Sequence, residues 1–119
     1  MVTILPMPHE VLLPLCDQLG LTAAGMVWGY VAAEKNDLAG FCVVSEPEDE
    51  GEPCEILALE GADKYVADGL LRRALNPFYE TGVAEYQFRL PPDIAMLPDY
   101  VIIGRGSLAQ LFKPHCPQS

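Results

Sequence analysis

The stretch CEILALEGADKYVADGLLRRAL, residues 54–75, holds the decision about the fold. Its first seven residues carry five apolar side chains and two glutamates, as expected of a short strand covered on both faces near the middle of a sheet. From Val66 the period changes. Val66, Leu70, Leu71, Ala74, Leu75, Phe78 and Tyr79 recur at intervals of three and four, while Asp68, Arg72, Arg73 and Asn76 fall mostly on the other side. That pattern predicts an amphipathic helix with one face on the core. Asp63 is its N-cap candidate and Gly82 its C-terminal stop; Pro77, inside the pattern, predicts a kink or an early last turn. AEYQFRL at 84–90 then alternates strictly, with Tyr86, Phe88 and Leu90 on one face and Glu85, Gln87 and Arg89 on the other. This is a half-buried strand. Strand, helix and strand in that order form a crossover, which sets the two strands parallel and the connection right-handed.

Upstream, VWGYVAAE at 27–34 and AGFCVVSE at 39–46 read as two strands of a hairpin turning at Asn36 and Asp37. PEDEGEP at 47–53 is a charged, proline-flanked loop. Residues 2–5 predict a first strand, and His9 to Leu19 a proline-punctuated helix, with Pro14 inside it, that ends at Gly20. Downstream, PPDIAMLPDYVIIGRGSLAQLF offers at most one helical turn before Pro98 and a strand at Tyr100 to Ile103; SLAQLF suits strand or helix. No repeat, low-complexity run or linker interrupts the chain, so residues 1–119 are expected to form a single domain.

Seventeen acidic against seven basic residues give a formal net charge of −10. Such a field repels phosphate backbones and anionic headgroups, which argues against nucleic acid and membrane as partners. It is in the first place what a simply solvated surface shows, and it also suits a small cationic substrate such as an amine. The first twenty residues lack a basic n-region and are broken by Pro6, Pro8 and Pro14, unlike a signal peptide or a membrane span, so a cytoplasmic location is expected. Four scattered cysteines form no C-x-x-C pair. Cys16, Cys42 and Cys54, among apolar neighbours, read as buried reduced thiols. Cys116 follows His115 in FKPHCPQS, but two ligands fall short of the four that a structural zinc site uses, so no metal site is assigned.

With VWGYVAAEKNDLAGFCVV at 27–44 as a central hairpin, CEILALE as the next strand and DGLLRRAL as the helix after it, the chain resembles the GNAT superfamily of N-acyltransferases over roughly residues 26–90. Small bacterial members with I-L-A-L-E before the helix and a GSL…LF ending are particularly similar. The resemblance implies an α/β (α+β) fold: a mixed, mostly antiparallel sheet with a strand–helix–strand crossover and helices packed on the sheet. It also implies acetyl-CoA, lying in a V-shaped gap where the strand before the helix splays from the strand after it. There the pyrophosphate sits on backbone N–H groups of a Q/R-x-x-G-x-G/A loop at the helix start, where unsatisfied donors and the helix dipole favour an anion. Laying Leu70 and Leu71 on the paired leucines that follow this motif puts its key positions on Ala62, Tyr65 and Ala67. Ala62 departs from glutamine or arginine, Tyr65 replaces a glycine, and Ala67 fits, so the loop is degenerate. The implied cofactor residues are Leu57, Ala58 and Leu59 on the strand and Ala62, Lys64, Tyr65, Val66 and Ala67 in the loop and first turn. An Asp63 cap would place a carboxylate on the same N–H groups.

Acyl transfer from a thioester to an amine needs a base for the ammonium and an acid for the departing thiolate. The resemblance offers Glu55 and Glu60 as base, acting directly or through water, and Tyr100 as acid. Each has a plain alternative: a solvent-facing strand glutamate for Glu55, a helix-dipole partner for Glu60, a sheet-edge aromatic for Tyr100. Trp28, Tyr30 and Phe41 read as a substrate groove in the hairpin or as ordinary core. Two functions stand open: an N-acetyltransferase moving an acyl group from acetyl-CoA to an amine, or a catalytically inactive GNAT fold serving as a protein-interaction or homodimerisation module.

Overall fold

Six strands form one sheet in chain order: β1 (Val2–Pro6), β2 (Val27–Glu34), β3 (Asp37–Ser45), β4 (Cys54–Gly61), β5 (Glu85–Phe88) and β6 (Arg105–Ser107). Every neighbouring pair is antiparallel except β4 with β5, which is parallel. Among the described residues three helices accompany the sheet: α1 (His9–Leu19), α2 (Lys64–Glu80) and α3 (Leu108–Leu111). The structure, a computed structural model, describes residues 2–23, 25–89, 97–98, 100–101 and 104–112. Leu90, Ile102, Ile103, His115 and Cys116 lie outside the described residues. Among those described, no helix is long and apolar enough to cross a membrane.

Strand alternation divides the core in two. Tyr30, Ala32, Cys42, Val44, Cys54 and Ile56 pack against the apolar stripe of α2, and Val31, Phe41, Val43 and Leu57 face the other way with Leu12 and Cys16 of α1. β4 is therefore covered on both faces, as its apolar run implies. The Leu70, Leu71, Ala74 and Leu75 side of α2 is buried to 1% exposure or less. The helix continues one turn past Pro77, because the freed chain end is held elsewhere: the Thr81 amide and hydroxyl both donate to the Pro77 carbonyl.

Two local readings are corrected, and one left open is decided. The hairpin turns at Lys35 and Asn36, with φ of 55° and 78°, and Asp37 already pairs with Glu34 as the first residue of β3; two consecutive left-handed residues are what a two-residue turn between twisted strands requires. Tyr100 sits in a turn and Val101 in no regular element, and the last strand is Arg105–Ser107. The aromatic run predicts strand by propensity, but pairing with β5 is set by side-chain fit. The Tyr86 ring lies over Gly106, its cross-strand partner, where a Cβ would stand 2.4 Å from the ring. Finally, SLAQLF, open between two readings, is helical over Leu108–Leu111 and capped by the Ser107 hydroxyl on the Gln110 N–H.

At the far end of β4 the backbones of β3 and β4 approach too closely for a side chain. A Cβ on Gly40 would lie 2.4 Å from the Glu60 carbonyl oxygen, and Gly40 pairs with Gly61. One residue on, the Ala62 N–H bonds the Ala39 carbonyl at 2.8 Å. The start of α2 is thereby hung on the first residues of β3. Gly40→Ala forces two backbones apart and should lower unfolding stability by about 2 kcal/mol in a urea titration.

Cys42 and Cys54 are fully buried, and desolvation pushes each thiol up to about 12 from 9.0. A thiol raised in the folded state stays neutral there while its unfolded counterpart ionises above pH 9, so its contribution is complete below pH 9 and is lost as pH climbs toward 12. Stability should thus fall by about 1.4 kcal/mol per pH unit for each thiol above pH 9. Urea titrations at successive pH values check this, and Cys42→Ala should remove one thiol's share of the slope.

Candidate functional site

The register of β4 against its two neighbours builds the site. Val43 pairs with Ala58 and Val44 with Ile56, so Leu57 is an extra residue on β4, a β-bulge. A regular strand would put Glu55 and Glu60, five residues apart, on opposite faces. Because of the extra residue, Leu57 and Ala58 both pack toward α1, Leu59 returns toward α2, and Glu60, paired with Phe41, shares a face with Glu55.

On its other side β4 loses its partner at the same place. β5 pairs only with Cys54, Glu55 and Ile56, and the last bond runs from the Arg89 N–H to the Ile56 carbonyl at 3.0 Å. Leu57 to Gly61 continue along β3 with no β5 partner among the described residues. The Ala62 to Ala39 bond fixes which backbone groups face which way. Antiparallel pairs alternate between bonded and non-bonded, so Ala58, Glu60 and Ala62 spend their N–H groups on β3, whereas those of Leu59 and Gly61 point into the opening beside β4. Two amide donors and two carbonyls thus line an edge of β4 that has no partner strand among the described residues.

The first turn of α2 closes the wide end of this gap. Asp63 caps it: its Oδ1 accepts from the Val66 N–H at 2.9 Å, and its carbonyl accepts from the Ala67 N–H at 3.0 Å. With the Ala62 N–H on Ala39, three donors between residues 62 and 67 are already committed. Val66 and Ala67 have buried side chains, Tyr65 is 76% exposed, and Lys64 is exposed beside it.

At the narrow end stands Glu55. Its Oε1 pairs with Arg89 Nη2 at 2.6 Å, its Oε2 accepts from Gln87 Nε2 at 3.2 Å, and Arg89 also donates to the Thr22 carbonyl. The pair is about three-quarters covered, since the Glu55 side chain is 24% exposed. It lines a recess of about 130 Å³ together with Glu46, Glu48, Glu52 and the 2%-exposed Ser45. Four carboxylates against one guanidinium make this recess negative, as a site for a cationic group would be.

The candidate residues therefore separate into three places. Glu55 lies at the apex of the gap; Glu60 lies exposed at its mouth, about 15 Å along the strand. Tyr100 is on the flank of α2, its ring 4.9 Å from the Arg72 guanidinium, which in turn pairs with Asp68 at 2.9 Å and donates to the Leu111 carbonyl. Leu57, Ala58 and Leu59 border the gap, and Ala62, Lys64, Tyr65, Val66 and Ala67 form its outer end. Sequence reasoning missed Arg89, Gln87 and Ser45. Arg89 was legible only as the outward position of an alternating strand, and the parallel pairing that sets it beside Glu55 carries no local signature.

No family model matches the chain, and no curated protein does. Solved structures do. A Desulfovibrio desulfuricans protein assigned to the GNAT family of acetyltransferases is similar with a TM-score of 0.53 at 18% identity, over 72% of this chain and 71% of that one. A GNAT family acetyltransferase from Elizabethkingia anophelis with acetyl-CoA bound is similar with a TM-score of 0.47 at 24% identity, over 71% of this chain and 62% of that one. The mixed sheet with its parallel β4–β5 step and crossover helix is thus the GNAT fold.

Proposed function

We propose that the chain is an acetyl-CoA-dependent N-acyltransferase that acts on a small amine. The observation that carries this reading is the opening between β4 and β5, where the Leu59 and Gly61 N–H groups lie unpaired among the described residues. An extended ligand bearing amides, such as the pantetheine arm of coenzyme A, can add to that strand edge as another strand would. Bound there, acetyl-CoA supplies a thioester acyl group at the apex of the gap. The residues at that apex supply the proton chemistry. Glu55 is the base of this reading: it faces the negative recess, where an ammonium is drawn in, and it takes the proton that the ammonium must lose. Arg89 and Gln87 hold it in place. Glu60, about 15 Å along the strand from the apex, suits contact with the outer part of the ligand, and Tyr100, stacked on Arg72 of α2, suits a packing role.

A second reading, a fold that binds a protein or a second copy of itself and performs no transfer, is favoured by one observation. The Asp63 carboxylate occupies a donor at the helix end where a diphosphate would sit, and like charges there oppose each other. Calorimetric titration with acetyl-CoA separates the two. The enzyme reading expects measurable binding that tightens in Asp63→Ala, together with a stability loss of about 1 kcal/mol from the missing cap. No heat and no thermal shift at millimolar acetyl-CoA, in wild type and variant alike, would leave only the second reading. With binding in hand, Glu55→Gln should lower thiol release in the presence of primary amines by about 100-fold and leave acetyl-CoA affinity unchanged.

A further inference from the structure

We infer that the cavity between the last two turns of α2 and the sheet binds a small organic cation with an aromatic or apolar body. The cavity measures about 360 Å³ and is lined by Trp28, Tyr30, Pro47, Pro77 and Phe78, with Glu46 at its edge. It lies beside Ala74 and Phe78, about 16 Å or more along the helix from Asp63; it shares Glu46 with the acidic recess beside Glu55 and no residue with positions 57–62 of the gap.

Three independent features point to a ligand. Packed interiors leave few voids larger than one water, whereas this volume falls in the range of small-molecule pockets. Trp28 is 40% exposed although the His9 ring stands 6.3 Å from it, tilted by 56°, so part of an indole on a strand of the central sheet remains open to solvent. And Glu46, the one carboxylate among the lining residues, is held in place at the rim. Its N–H donates to the Met26 carbonyl at 3.0 Å, its Oε1 accepts from the Met26 N–H at 3.1 Å, and its side chain packs on Gly25 so closely that a Cβ there would stand 2.6 Å from it. Aromatic faces attract cations, and a fixed carboxylate adds a charge-assisted hydrogen bond to an ammonium. The outer side of Tyr30 is taken by Arg73, 5.1 Å from the ring centroid, and Phe78 is buried, so Trp28 provides the accessible aromatic surface. An anion would meet Glu46 and the chain's net charge of −10.

Trp28 is the only tryptophan, so its emission reads this cavity directly. The full chain, with no acetyl-CoA present, is titrated with phenethylammonium chloride at constant ionic strength, which makes the outcome independent of acyl transfer. A saturable change in emission is expected, at least tenfold weaker with neutral 2-phenylethanol and at least tenfold weaker with phenethylammonium in Glu46→Gln. That variant keeps the Oε1 acceptor for Met26, and its circular dichroism and melting temperature should match wild type. The inference is overturned by the absence of a saturable change up to 10 mM, by equal binding of 2-phenylethanol, or by unchanged affinity in a folded Glu46→Gln.

Discussion

Between Val43–Val44 of β3 and Ile56–Ala58 of β4 two residues face three, and the rest of the site depends on that mismatch. A bulge bends its strand and increases the local twist. In β4 the bend falls one residue beyond the last pair with β5 among the described residues, so the added twist begins where that pairing ends. The same extra residue reverses the alternation beyond it. Leu57 and Ala58 share the α1 face, Leu59 packs beneath α2, and Glu60 is left exposed at the mouth. Gly40 and Gly61 let the two backbones close up again just before α2 begins, which fixes the helix end relative to the opening.

The resulting site has uneven chemistry along its length. Its middle offers backbone donors and acceptors of the kind that pair with any extended amide-bearing chain. Its narrow end is acidic, with Glu55 buffered by a single arginine. Its wide end, the first turn of α2, has the helix dipole in its favour and a capping carboxylate against it. A cap adds stability to the helix whether or not a ligand is bound, so Asp63 sets stability and anion affinity in opposition at one position.

The elements were legible in the sequence wherever one strong period ran long enough. The α2 stripe, the Asp63 cap, the β2 limits and the uniformly apolar β4 all follow from local pattern, and the parallel pairing of β4 with β5 follows from the helix between them. The bulge was not legible, because CEILALE is apolar at Ile56, Leu57, Ala58 and Leu59 and an apolar run carries no alternation whose break would mark the extra residue. Without it, Glu55 and Glu60 fall on opposite faces of a regular strand, whereas the extra residue sets them on one face at the two ends of the site. β6 escaped for a related reason. Its three residues have little strand propensity of their own, and Gly106 is chosen by the Tyr86 ring across from it, a contact visible only after folding.

The central claim is that β4, which has no partner strand from Leu59 to Gly61 on its β5 side among the described residues, presents that edge to a ligand. Amide hydrogen exchange read residue by residue by NMR tests it most directly, since protection reports which backbone donors are bonded. The account predicts alternation along the strand: slow exchange at Ala58 and Glu60, fast exchange at Leu59 and Gly61, and a slowing at those two alone when acetyl-CoA is added. Equal protection of Leu59 and Gly61 with their neighbours in the free protein would show the edge already paired and contradict the account.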